Sequence, residues 1–493
     1  MKISKREAGI LLPISALPSK YGIGCFSEEA YRFVDMLSLS GQRVWQILPL
    51  CPTSFGDSPY QSPCSFAGNP YFISLDALCR EGLIMAEELP AGEYWERIDY
   101  GRIYEERYPL LKKAYGRFSE RVAPDDYGGF LAENCSWLED YALFMAIKES
   151  MRGASLSAFP EALRKRESEA LRDARGALEY EIGFYKFLQY EFFRQWNELR
   201  TYAHSKNVKI LGDMPIYVSA DSSDVWAHPE LFELDRDGRP LYVAGCPPDG
   251  FSPKGQLWGN PVYRWEEHKR EDFRWWTERI DRAFLMYDVV RIDHFRGFDA
   301  YYSIPYGAED ATGGFWRKAC GEALFATVRE RLGERPIIAE DLGFITDGVR
   351  RLLSSCGYSG MKILQFGFDG DEEHLPYNYP RRSVVYTGTH DNPTLCGWLS
   401  SLGERERQRV AEYLRDWSED IGEIGKHLIC VALQSCSELC IIPMQDYLLL
   451  GGEGRMNIPS RGDGNWSWRM RSADMSEAIF EEIGAFVRMS GRV

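Results

Sequence analysis

Eight times along this 493-residue chain a short β-branched or apolar run, flanked by turn residues, gives way to helical periodicity. The runs occupy 10–15, 44–50, 208–218, 288–295, 336–342, 361–368, 383–391 and 439–448. Helical stretches are expected at 27–41, 316–331, 346–356 and 404–433, with Ser27 suited to cap the first. The link 370–382 is too short and too rich in Pro and Tyr for a helix. Eight parallel strands with helices between them predict an α/β fold, a (β/α)8 TIM barrel with large helical and loop insertions between strands.

An open dinucleotide-binding sheet fits less well. Gly22-Ile-Gly24 follows the first strand, but no third glycine completes that fingerprint, and no phosphate-binding G-x-x-x-x-G-K-[ST] occurs. Gly451-Gly-Glu-Gly454 after the eighth strand carries Glu453, which argues against a phosphate site. Two connections are far too long for barrel loops. Residues 51–207 hold several helices, ending in 185–206, and read as a helical subdomain inserted after strand two. Residues 219–267 are rich in Gly, Pro and Trp, with Cys246-Pro-Pro-Asp-Gly-Phe251 at their centre, and read as a substrate-covering loop after strand three. The catalytic barrel is then 1–50 together with 208–493.

Charge and cysteine usage narrow the partners. Lys plus Arg is 58 against 74 Asp plus Glu, a net charge of -16, and no basic stripe offsets it. Such a surface repels phosphate backbones, so nucleic acid is not an expected partner. The twelve cysteines form no C-x-x-C pair and the seven histidines no H-x-x-x-H, so neither a metal nor another cofactor is expected. Free, mostly buried thiols suit a reducing cytoplasm. Lys2, Lys5 and Arg6 precede an apolar stretch at 8–17, but Pro13 breaks it and it reads as the first strand rather than a signal peptide. No run reaches membrane-spanning length, so no membrane partner is expected. The 14 Trp and 28 Tyr supply core and, where exposed, platforms for sugar rings.

Barrel enzymes place their chemistry at the C-terminal ends of the strands. Here those ends carry acids: Asp213 in the third, Asp293 in the fourth, Glu340 and Asp341 in the fifth, Asp391 in the seventh. One such carboxylate is an ordinary helix cap, but acids on four strand ends at the same end of one sheet point to glycoside chemistry. Side-chain alternation puts Arg291 and Asp293 on one strand face, where the guanidinium is expected to keep Asp293 charged as a nucleophile. Glu340 follows Ile337-Ile-Ala339, and burial there is expected to raise its pKa and suit it to the acid role. Asp391 is left to grip sugar hydroxyls beside His294 and His390. Asp341 alternates away from Glu340 and reads as a supporting residue.

At these residues the chain resembles the 4-α-glucanotransferases of glycoside hydrolase family 77, within the α-amylase clan. The matching segments are Trp45-Gln-Ile-Leu-Pro-Leu50, Ser54-Phe-Gly-Asp-Ser-Pro-Tyr-Gln61, Gly68-Asn-Pro-Tyr71, Gly212-Asp-Met-Pro-Ile216, Arg291-Ile-Asp-His-Phe-Arg-Gly-Phe298, Ala339-Glu-Asp-Leu-Gly343 and Tyr386-Thr-Gly-Thr-His-Asp391. The resemblance implies retaining transfer of α-1,4-glucan segments from a glucan donor to glucose or a maltooligosaccharide. It implies Asp293 as nucleophile, Glu340 as acid/base and Asp391 as the third carboxylate. Asp213, Arg291, His294 and His390 would hold the sugar at the cleavage site. Ser58 and Tyr60 would contact donor-side sugars, Gln256 and Trp258 would line the acceptor side, and Asn465 would stand near the donor end. Pro393 after Asn392, and Cys25, Cys51 and Cys64, depart from the commonest form of this pattern. The alternatives are an α-1,4-glucan hydrolase of the same clan and a non-catalytic glucan-binding protein; the intact set of three acids argues against the second.

Overall fold

The computed structural model describes residues 6–248, 252–459 and 461–492. Twelve strands occur among them, in chain order β1 (Glu7–Leu11), β2 (Val44–Gln46), β3 (Lys209–Met214), β4 (Tyr242–Cys246), β5 (Gln256–Pro261), β6 (Val289–Ile292), β7 (Ala300–Pro305), β8 (Phe315–Lys318), β9 (Ile337–Ala339), β10 (Gly360–Ile363), β11 (Ser383–Tyr386) and β12 (Leu439–Pro443). Eight of them pair in parallel in the order β10-β11-β12-β1-β2-β3-β6-β9. A bridge between Ile338 and Ser359 joins the two edges, with the Ala339 N–H donating to the Ser359 carbonyl at 2.9 Å. The seam is reinforced by Asp341, which accepts the Met361 N–H at 2.6 Å. The result is the expected (β/α)8 barrel.

Closure needs an interior packed with side chains. On the inner face Val44, Leu211, Val384 and Ile441, which stand two residues before or pair beside Gln46 and Tyr386, are buried. The Tyr386 hydroxyl donates to Gln46 Oε1 at 2.9 Å. β2 and β11 are not neighbours, so this bond crosses the barrel interior and fills it with a satisfied polar pair.

All eight expected strands are present, but most stop earlier than their apolar runs. The run 361–368 is strand only over Gly360–Ile363 and then becomes the helix Leu364–Phe368. A short apolar run is compatible with either state when every residue is buried. The helix expected at 316–331 begins at Gly321, because Phe315–Lys318 is β8, paired antiparallel with β7. The stretch 404–433 is two helices, Glu404–Leu414 and Ile421–Gln434, separated where Arg415 adopts left-handed backbone with φ 55°. Thr346 caps the helix Asp347–Cys356 as a helix-start residue should, its Oγ1 accepting the Val349 N–H.

Between β2 and β3 the chain forms the helices Tyr100–Ser119, Cys135–Ser150 and the 27-residue Glu179–Ser205, among shorter ones. Between β3 and β6 it forms β4 and β5, which join β7 and β8 in an antiparallel sheet of order β5-β4-β7-β8. This second sheet is not anticipated from the sequence. Asp249, Gly250 and Phe251 of the expected covering loop lie outside the described residues. All twelve cysteines are free, and Cys25, Cys51 and Cys64 are buried. No described helix is long and apolar enough to cross a membrane.

Candidate active site

β6 ends because His294 takes left-handed backbone, φ 47° and ψ 49°, and the chain turns into the short 3-10 segment Phe295–Phe298. This conformation costs a residue with a Cβ roughly 1–2 kcal/mol. It has a chemical consequence. The His294 N–H donates to Glu340 Oε2 at 2.7 Å, so the end of β6 holds the carboxylate that follows β9. The Leu342 N–H donates to Glu340 Oε1 at 3.2 Å.

The β3–β6 register sets Asp213 directly beside Arg291, and alternation along β6 sets Asp293 on the same face. Arg291 Nη1 lies 2.7 Å from both Asp213 oxygens and 3.1 Å from Asp293 Oδ1. Asp213 is sealed from solvent and Arg291 is 3% exposed, whereas Asp293 is 27% exposed at the barrel mouth. Arg291 and Asp213 therefore form the floor below the carboxyl that faces outward.

The electrostatics differ from the expectation for Asp293. Burial raises its pKa, to about 8, and outweighs Arg291, with Asp213, Glu340 and Asp391 adding to the rise. Arg291 opposes the shift without reversing it. Glu340 is raised as expected, by burial first, against Arg291 and its two backbone donors. Burial and mutual repulsion act on both carboxyls, so Asp293 and Glu340 titrate as a coupled pair. Arg291 touches Asp293 directly, whereas Glu340 is held by its two backbone N–H donors.

Tyr60, from the loop after β2, spans the mouth. Its hydroxyl donates to Asp213 Oδ2 at 2.7 Å and meets His390 Nε2 at 2.9 Å. With the phenol proton directed at the carboxylate, Nε2 must be the protonated nitrogen, and Nδ1 has no partner among the described residues. Burial lowers the pKa of His390 and, to about 3, that of His294, so both rings are neutral. The Tyr60 and His390 rings stack at 5.4 Å, and Trp466 packs at 5.7 Å from one and 5.9 Å from the other.

Asp391 follows β11 and is 44% exposed. It is held by a loop far along the chain. Asn457 Nδ2 donates to Asp391 Oδ1 at 2.6 Å, and Arg455 Nη2 donates to the Asp391 carbonyl at 3.0 Å. The Asn457 N–H donates to the His390 carbonyl at 3.1 Å. Asp391 Oδ2 is 3.5 Å from His390 Nε2. Deeper down, fully buried Asp446 accepts the Thr387 hydroxyl at 2.5 Å and the Leu395 N–H at 2.7 Å, fixing both ends of the segment that carries His390 and Asp391.

The remaining expected residues divide by what they touch. Trp258 stands edge-on to His294 at 4.9 Å, and its indole N–H donates to Gln256 Oε1 at 3.0 Å. Ser58 Oγ accepts the Tyr60 N–H at 3.2 Å. The Asn465 side chain is spent within its own loop, accepting the Ile458 N–H at 2.9 Å and donating to the Arg461 carbonyl at 2.9 Å. It shapes the loop rather than projecting free amide groups. Asp341 serves the β9–β10 seam, with a pKa raised by burial to about 6.

Sequence reasoning missed Asn457, Arg455, Asp446, Trp466 and the bridge from Gln61. Gln61 Nε2 donates to the Trp258 carbonyl at 3.1 Å and to Asn260 Oδ1 at 3.0 Å, tying the loop after β2 to β5. Gln61 closes the family-like segment 54–61, but nothing local to Arg455-Met-Asn457 marks it as adjacent to Asp391.

Comparison with known proteins places the chain in a family. A family model described as 4-alpha-glucanotransferase, of glycoside hydrolase family 77, matches residues 12–475. A 4-alpha-glucanotransferase from Thermus thermophilus is 47% identical over 500 residues, covering 99% of each chain. One from Aquifex aeolicus is 47% identical over 489 residues, covering 98% of this chain and 99% of its own. The solved amylomaltase from Streptococcus agalactiae in complex with acarbose superposes with a TM-score of 0.96 at 43% identity, over 99% of this chain and all of that one. The chain belongs to the 4-alpha-glucanotransferases of glycoside hydrolase family 77.

Proposed function

We propose that this transferase moves α-1,4-glucan segments by double displacement, with Asp293 as nucleophile and Glu340 as acid/base. The observation that carries the reading is the His294 N–H bond to Glu340, which fixes the two acids at the ends of adjacent strands, β6 and β9. Asp293 is the member of the pair in contact with Arg291 and open to the barrel mouth. Its carboxylate attacks the anomeric carbon while Glu340 gives its proton to the glycosidic oxygen of the departing glucan. The acceptor's 4-hydroxyl then returns a proton to Glu340 and attacks the glucosyl-Asp293 ester, restoring the α configuration.

Asp391, with Oδ1 held by Asn457, presents Oδ2 to sugar hydroxyls. His390 and His294, both neutral, accept or donate hydrogen bonds without adding charge. Asp213 and Arg291 act from below, by fixing Tyr60 and Asp293. The stretch 219–267 covers the acceptor side, where Gln256 and Trp258 line the approach, and water excluded there favours a sugar hydroxyl as the second nucleophile.

Incubation with maltotriose tests this. Transfer yields glucose and a ladder of longer oligosaccharides with constant reducing ends; growth in reducing ends would instead assign a hydrolase. Glu340→Gln is expected to slow turnover by about 10²–10⁴-fold, and unchanged turnover would remove Glu340 from the acid/base role.

A further inference from the structure

Three residues beyond Asp293, Arg296 is only 6% exposed and lies flat on the indole of Trp316, 3.8 Å from the ring centre. Its Nη1 donates to the Phe344 carbonyl at 2.6 Å, and its buried Nε has no partner among the described residues. Trp316 is 40% exposed and Phe344 76% exposed. Thus one buried guanidinium holds the Trp316 indole on one side and the loop backbone at Phe344 on the other, and both aromatic side chains open to solvent. Trp316 is further fixed on β8 opposite Tyr302 of β7, the rings meeting edge to face at 5.2 Å.

Two exposed aromatics on one arginine need an explanation, because they leave apolar surface uncovered while the Trp316 ring and the Phe344 backbone are held in place. Their place supplies one. Phe344 is on the loop that leaves Glu340, four residues downstream. In the reading above, Glu340 faces the leaving-group oxygen, so its loop flanks the side the departing glucan vacates and the acceptor enters. Trp258, at His294, is nearer the reacting bond. The electron-rich face of an aromatic ring attracts the C–H bonds of a sugar's apolar face. We propose that Trp316 and Phe344, braced by Arg296, form an outer acceptor platform on which a glucosyl unit of a longer maltooligosaccharide stacks. The platform rests on the proposed function and adds a consequence: it sets preference for acceptor length and is out of reach of glucose.

The test uses a maltooligosaccharide donor blocked at its non-reducing 4-hydroxyl, so that it cannot accept. Transfer to glucose and to maltotetraose is compared in wild type, Trp316→Ala, Trp316→Phe and Phe344→Ala. We expect glucose transfer to be unchanged in all three variants. With maltotetraose, kcat/KM falls about tenfold in Trp316→Ala, through KM, with Trp316→Phe close to wild type and Phe344→Ala intermediate. Phe344 is exposed on a loop, so its variant folds even where loss of Trp316 disturbs β8. Acceptor-length preference equal to wild type in both alanine variants overturns the platform. A wild type that makes no transfer product at all overturns the proposed function instead.

Discussion

The two sides of the barrel mouth are built by different means. On the β3–β6–β9 side, Asp213, Arg291, Asp293 and Glu340 come from neighbouring strand ends and are bonded to one another through side chains and one backbone N–H. On the β11 side, Asp391 stands half in solvent and owes its orientation to Asn457 and Arg455, more than sixty residues later. The first arrangement is part of the barrel's own folding energy. The second is a loop added to a finished barrel, so it can be loosened without unfolding the scaffold.

Arg291 is the strongest place to break this contrast. Arg291→Met leaves Asp213 buried without its cation, and removal of one partner of a buried pair costs roughly 3–5 kcal/mol. Urea denaturation should record that loss together with near-complete loss of transfer. A variant that stays as stable as wild type would show that the Asp213–Arg291 pair is not a structural element. The same cation opposes the rise in the Asp293 pKa. In a weakened but folded variant, such as Arg291→Lys, the acid limb of the kcat/KM profile should therefore move to higher pH.

Asn457→Ala should do the opposite. It removes a single hydrogen bond to a charged group at a partly exposed site, worth about 1.5–3 kcal/mol. If that energy positions Asp391 for the transition state, kcat falls about ten- to a hundredfold while the urea midpoint hardly changes. Asn457→Asp sets a carboxylate against a carboxylate and should be worse than alanine for activity. Equal activity in wild type and Asn457→Ala would make the Asn457 bond a bystander.

The same division decides what could be read from the sequence. Strand ends carry their chemistry in local order, so Asp213, Arg291, Asp293, Glu340 and Asp391 stand out beside apolar runs. Tyr60, Ser58, Gln256, Trp258 and Asn465 were named only through family resemblance, because loop residues carry no periodic pattern. Asn457 and Arg455 were missed since their partner is distant in sequence. The rise in the Asp293 pKa was missed for a related reason. Alternation shows the one cation on the strand, whereas the desolvation and the three surrounding acids exist only once the barrel closes. Residues 316–318 read as helix in the sequence because the pairing partner of β8, β7, belongs to an unanticipated sheet.

Asp446 offers the finest test of how the β11 side is mounted. Its carboxyl is fully buried, and burial raises its pKa to about 6 against the bonds from Thr387 and Leu395. Between the unfolded carboxylate value, about 4, and 6, the folded state binds the proton more tightly than the unfolded one. The favourable contribution is therefore complete below about pH 4 and is lost as pH rises through 6, where ionisation must occur in the interior. Asp446→Asn cannot ionise. Like the protonated wild type it offers one carbonyl oxygen, with an N–H2 in place of the O–H, so at pH 4.5 its stability should lie within about 1 kcal/mol of wild type. As pH rises to 8 the wild type loses its protonated-state advantage and the variant does not, so the gap in urea midpoints should shift in favour of the variant. A gap independent of pH would mean that Asp446 is ionised at no cost. The segment bearing His390 and Asp391 would then be anchored by charge, like the floor beneath Asp293, and the contrast between the two sides of the mouth would shrink to the Asn457 loop alone.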